Sequence, residues 1–180
     1  PVPAQAQDLS GMMSPSPLVD SIDEVRVGAA FHRAYQKLFP TNPALFNFTR
    51  FEDVSFDVLF RSPDIDVFRW IGSPRPELGT TVSLAGRESI LHLGLTWQAH
   101  IFTLPIFVEG TLGAALNNGY HNSAPPGVDD LGCPLGFYER VGIGFDLPSG
   151  YTASLGYEHT SNWNLCARNA GLTNIGFRLG

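Results

Sequence analysis

From residue 23 onward, apolar side chains recur at every second position in a series of separate runs. Val25, Val27, Ala29 and Phe31 alternate with Arg26, Gly28, Ala30 and His32. Val54, Phe56, Val58 and Phe60 alternate with Ser55, Asp57, Leu59 and Arg61. The same rhythm returns around Leu78 to Leu84, Leu91 to Trp97, Ile106 to Leu116, Phe137 to Phe145, Ala153 to Tyr157, and Ile175 to Leu179. A period of two is the mark of a strand, because successive side chains leave opposite faces of the backbone. Strands are therefore expected over 23–33, 52–62, 74–84, 91–98, 104–117, 136–147, 151–161 and 174–179. No helical periodicity of useful length competes, and no run of about 18 apolar residues suggests a membrane-crossing helix.

The two faces differ in kind. One is consistently apolar. The other carries Gly, Ser and Thr with isolated charges of both signs: Arg26, Asp57, Arg61, Glu109, Arg140, Glu158 and Arg178. A crowded lumen needs small residues and charges that pair, and Glu109 and Glu158 are expected to meet arginines there. A lipid face needs only apolar side chains. The pattern predicts an all-β chain, an eight-stranded antiparallel transmembrane β-barrel of the outer-membrane type. A soluble eight-stranded barrel with an oily interior is the alternative. Long links follow strands one and five, and Pro148-Ser149-Gly150 makes a tight turn between six and seven. This asymmetry suits short periplasmic turns and longer external loops, although the link after strand two is long.

Length and composition narrow the picture further. The chain has 180 residues, enough for one domain, and divides into a signal remnant or flexible leader at 1–20 and a barrel at 21–180. The net charge of −6, without a basic run, argues against a nucleic-acid partner. Cys133 and Cys166 would form one disulfide in an exported protein; two free buried thiols are the other reading. The histidines show no ligand spacing, so no metal is expected. Asp129-Asp130 reads as a solvated pair in a loop, with cation binding as the other reading, and the three tryptophans as interfacial anchors.

Candidate chemistry sits near the end of the chain. His159 and Ser161 are two residues apart on one strand face, so a base and a hydroxyl can approach each other. They lie on the apolar face. If Leu147 pairs with Tyr151 across a three-residue turn, counting outward puts Glu139 opposite His159. Glu139 is thereby a candidate for orienting the imidazole.

His159-Thr160-Ser161-Asn162, followed by Asn169 and Gly171, resembles the His-x-Ser-Asn signature of PagL, the outer-membrane lipid A 3-O-deacylases. The resemblance implies an esterase that needs no cofactor and removes the acyl chain at the 3 position of lipid A. Ser161 would be the nucleophile, His159 the general base and Asn162 an oxyanion donor, with the backbone N–H of Trp163 or Asn164. Asn169 and Thr173 would support them. The family's orienting glutamate should fall near Thr173, which has no carboxylate. The resemblance also implies lipid A, or lipopolysaccharide, and membrane lipids as partners, with a homo-oligomer left open. The site would face the outer leaflet of a bacterial outer membrane, with both cysteines in external loops. A catalytically silent barrel with a structural or assembly role is the competing function.

Overall fold

The computed structural model describes residues 17–35 and 37–180. The leader expected over 1–20 lies mostly outside the described residues; within them, Pro17–Asp20 forms a short helix, α1. Eight strands follow: β1 (Ile22–Tyr35), β2 (Phe51–Phe60), β3 (Arg75–Ser83), β4 (Ile90–His100), β5 (Ile106–Asn117), β6 (Leu135–Asp146), β7 (Thr152–Ser161) and β8 (Leu172–Leu179). The link between β2 and β3 holds a second short helix, α2 (Asp66–Trp70).

Each strand pairs antiparallel with its neighbour in sequence, and β1 closes on β8. The alternation read from the sequence becomes the inside and outside of this barrel. Val27, Phe56, Leu93, Leu112, Val141 and Phe177 are exposed on the outer skin. Arg26, Asp57, Glu77, His92, Glu109, Arg140, Glu158 and Arg178 are buried within. An oily interior is thus excluded. Arg61 is the exception among the charges expected inside: it follows the end of β2 and is exposed.

Charge pairing fills the lumen. Arg26 Nη1 lies 2.8 Å from Glu109 Oε2, and Arg140 Nη1 lies 2.7 Å from Glu77 Oε1. Arg178 bridges Asp57 at 2.8 Å and Glu158 at 2.5 Å. Tyr138 donates to Glu158 at 3.1 Å and stacks on His92 with ring centroids 3.9 Å apart. A buried charge is tolerated only when paired and hydrogen-bonded, and these are. Gly79 shows why small residues punctuate this face: a Cβ there would overlap Asp57 and come within 2.5 Å of His92 Cε1.

Two local features position the site. At one rim, Leu147 N–H donates to Tyr151 O at 2.8 Å, with Ser149 and Gly150 both left-handed at φ 69° and 82°. That closes the three-residue turn and sets the β6–β7 register, in which Glu139 pairs with His159. At the opposite rim, Arg33 takes φ 51° and the β1–β8 register shifts between Phe31 and Tyr35. Beyond this bulge Tyr35 pairs with Thr173, so the chain after β1 passes over the end of β7.

Candidate active site

β7 runs to this second rim and ends with His159, Thr160 and Ser161. His159 and Ser161 share the lining of one cavity of about 410 Å³ with Lys37, Leu38, Trp163, Asn164, Asn169, Ala170 and Gly171. Parity puts both side chains on the outer face, as expected. They are nevertheless not laid bare on the apolar skin: His159 is only 4% exposed. The backbone at Lys37, after β1, and at Gly171, before β8, roofs it over.

His159 is held from one side. Its Nδ1 lies 2.7 Å from Thr173 Oγ1. The threonine hydroxyl in turn donates to Lys37 O at 3.4 Å. A carbonyl can only accept, so the directions are set: Nδ1–H donates to Thr173 Oγ1, and Thr173 O–H donates to Lys37 O. That tautomer leaves Nε2 with its lone pair, the form a general base requires. Tyr157 O–H also donates to Lys37 O, at 2.5 Å. The same carbonyl therefore ties the β1–β2 connection to both strands of the site.

Glu139 does not take the orienting role expected of it. It faces His159 across the ladder, but the ring turns toward β8, and Glu139 Oε2 is buried without a hydrogen-bond partner among the described residues. Asn162 is likewise not an oxyanion donor through its side chain. Its Nδ2 is spent on Leu131 O at 2.7 Å and Arg168 O at 2.6 Å. Asn162 follows Thr160 onto the inner face, so its amide staples two loops together. Its backbone N–H donates to Asn169 Oδ1 at 3.1 Å, and Asn169 Nδ2 donates to Asn164 Oδ1 at 3.1 Å. Trp163 and Asn164 are both left-handed, at φ 52° and 61°, which turns the chain sharply after Asn162. Both residues line the cavity, and their backbone N–H groups make no hydrogen bond among the described residues, which leaves them as the oxyanion candidates. Ser161 Oγ also has no partner among the described residues, as in many unliganded sites whose catalytic contacts tighten around substrate.

Loops complete the rim. Cys133 and Cys166 are bonded, with Cα atoms 6.1 Å apart, tying the β5–β6 connection to the β7–β8 connection. Asp129 is not the solvated residue expected: it is 2% exposed and pairs with Arg33 at 2.8 Å. Burial, reinforced by the Glu88 charge and opposed by the Arg33 guanidinium, pushes its carboxyl up to about 6. Burial would also raise Glu88, but hydrogen bonds from His32 and the Asp129 backbone N–H outweigh it and hold that carboxyl below its usual value. Among the tryptophans, Trp70 is 86% exposed, Trp97 donates to Ile71 O at 2.8 Å, and Trp163 packs on Phe137 at 5.4 Å.

Asp57, Glu77 and His92 bring three ligand-type atoms within 4.8 Å of one another inside the barrel. Arg140 at 2.7 Å from Glu77 and Arg178 at 2.8 Å from Asp57 already neutralise these carboxylates, so the group reads as part of the lumenal ion-pair network.

An apolar skin around an ionic lumen, closed by eight antiparallel strands, defines the outer-membrane type of β-barrel. The chain belongs to the PagL family, whose model, described as lipid A 3-O-deacylase, matches residues 64–180. Among solved structures it is similar to the outer membrane enzyme PagL in its crystal structure, at 16% identity and a TM-score of 0.54, covering 86% of this chain and 96% of that one. It also aligns with the Yersinia pestis outer membrane protein Ail in a phospholipid bilayer nanodisc, at 11% identity and a TM-score of 0.44, covering 88% and 97%. That likeness is too weak to carry an argument. No curated protein sequence matches.

Proposed function

We propose that this barrel spans the bacterial outer membrane and removes the 3-O-linked acyl chain of lipid A, with its site at the outer leaflet. The observation that supports this reading best is the chain of hydrogen bonds from His159 through Thr173 to Lys37 O, beside Ser161 in one cavity. It leaves Nε2 free to act as base next to a hydroxyl that is otherwise a weak nucleophile.

The steps follow from these groups. Ser161 Oγ attacks the ester carbonyl as its proton passes to His159 Nε2. The backbone N–H groups of Trp163 and Asn164 stabilise the oxyanion. His159 then protonates the departing sugar oxygen, leaving an acyl-serine. Water, activated by the same imidazole, releases the fatty acid and restores Ser161. The threonine in place of a carboxylate lowers the stabilisation of the imidazolium. In a serine protease, replacing that carboxylate costs roughly 10⁴-fold because the tautomer is lost as well. Thr173 keeps the tautomer, so only part of that loss is expected and the enzyme should be slow rather than inert.

The apolar skin explains the position of the site. The substrate is itself a lipid of the surrounding leaflet, so the catalytic pair belongs at the rim of the outer face rather than in the lumen. Mass spectrometry of lipid A tests the reading. Cells expressing the wild-type chain should lose one 3-linked hydroxyacyl group, and cells expressing Ser161→Ala should not. Unchanged lipid A in both would leave a catalytically silent barrel.

A further inference from the structure

A second cavity, of about 510 Å³, opens beside the catalytic one. Arg33, Lys37 and Arg50 line it together with Tyr35, Asn47 and the short apolar segment Ala44 to Phe46. No carboxylate lines it. Arg33 is paired with Asp129 at 2.8 Å. Lys37 and Arg50 have no ion pair among the described residues, and Arg50 makes only a long 3.3 Å hydrogen bond to Gly127 O. Three cations thus converge in a chain whose net charge is −6. The Tyr35 hydroxyl oxygen (Oη) accepts the Asn42 N–H at 3.0 Å, which leaves its own proton to donate. Lys37 belongs to both cavities.

We infer that this basic cavity holds a phosphate monoester of the substrate while the ester lies against Ser161. The inference rests on the lipid A reading and deepens it. Lipid A carries its anomeric phosphate and a 3-linked ester on the same glucosamine ring. The two groups therefore sit on a single sugar ring, and the two cavities adjoin at Lys37, which lines both. Guanidinium groups match phosphate oxygens through paired N–H donors, while Lys37 adds a compact charge from the shared wall. Leu45 and Phe46 give the sugar an apolar edge to rest on. The cavity selects for a phosphorylated lipid at the step of binding, so it acts on KM rather than on the chemistry at Ser161.

The test uses full-length protein in detergent micelles, with folding of each variant checked by heat-modified gel migration. Wild type, Arg50→Gln and Arg50→Lys are each given bisphosphorylated lipid A and lipid A lacking phosphate. Hydrolysis and micellar binding, the latter by tryptophan fluorescence, are both measured. Wild type should prefer the phosphorylated lipid in kcat/KM and in Kd. Arg50→Gln should cut that preference about ten-fold, and Arg50→Lys should restore part of it. Equal treatment of both lipids by wild type, or an unchanged preference in Arg50→Gln, overturns the subsite. Phosphate-selective binding without any hydrolysis sustains the subsite and sinks the esterase reading instead. Competition with inorganic phosphate separates the two sources of the anion. Displacement of lipid A by phosphate at the lipid's own concentration would mark a free-anion site and overturn the lipid assignment.

Discussion

The imidazole of His159 leans on Thr173, its Nδ1 2.7 Å from the threonine oxygen, although Glu139 is the residue paired with it across the other ladder. A neutral hydroxyl thus stands where a charge would be expected, and the relay ends on a backbone carbonyl.

Thr173 is on this geometry the positioning residue. Thr173→Val removes the acceptor and frees Nδ1 to take either tautomer. Deacylation should fall about ten-fold or more in kcat with little change in KM. Thr173→Ser should recover most of the rate, because it keeps the hydroxyl. Glu139→Gln should change kcat by less than about three-fold. A larger loss in Glu139→Gln than in Thr173→Val, measured with purified lipid A, would return the orienting role to the carboxylate.

Gly171 sets the other wall of the histidine pocket. Its φ is +68°, and a Cβ there would sit 3.0 Å from His159 Cε1 and 3.5 Å from Nε2. Gly171→Ala therefore strains the backbone by roughly 1 kcal/mol and crowds the base. The expected result is a folded barrel with kcat lowered about ten-fold, because small displacements of a catalytic group are costly. Wild-type turnover in this variant would show that His159 has room to spare.

The rim loop bearing Asp129 should loosen as pH rises. Its carboxyl, at about 6, titrates above its ordinary value of 3.8. The folded rim therefore binds the proton more tightly than the unfolded chain does. That contribution is fully present below about 3.8 and is lost as pH climbs through about 6. Glu88, held below its usual value by His32 and the Asp129 N–H, does not offset the change. Protease cleavage between β5 and β6 should be faster at pH 7.5 than at pH 5, and Asp129→Asn should flatten the difference. Cleavage that slows with rising pH would reverse the sign argued here.

Much of this was legible because a barrel obeys a parity rule. Val25 to Phe31 and Arg26 to His32 segregate by position alone, and lumenal pairing of Glu109 and Glu158 follows from crowding. The Glu139–His159 register was countable because the turn at Pro148–Gly150 fixes the frame for both strands. Parity ends where strands end. Asn162 lies one step past β7, and its amide is claimed by Leu131 and Arg168, which no periodicity connects to it. Lys37 was missed for a similar reason: the bulge at Arg33 redirects the chain over His159, and a lone left-handed arginine leaves no pattern. The three cations of the second cavity come from the end of β1 and from both ends of a long connection, so only the folded loop assembles them.

Closure of β1 on β8 also limits how copies of this chain can meet. Every strand already has hydrogen-bonded neighbours on its left and right, so no free border is offered to an incoming segment. Self-assembly by edge addition, the usual hazard of open sheets, is ruled out for the folded ring. Any contact between two such rings must be made by side chains of the greasy exterior or by the rim loops, and it can form or part without disturbing a single rung of the ladder.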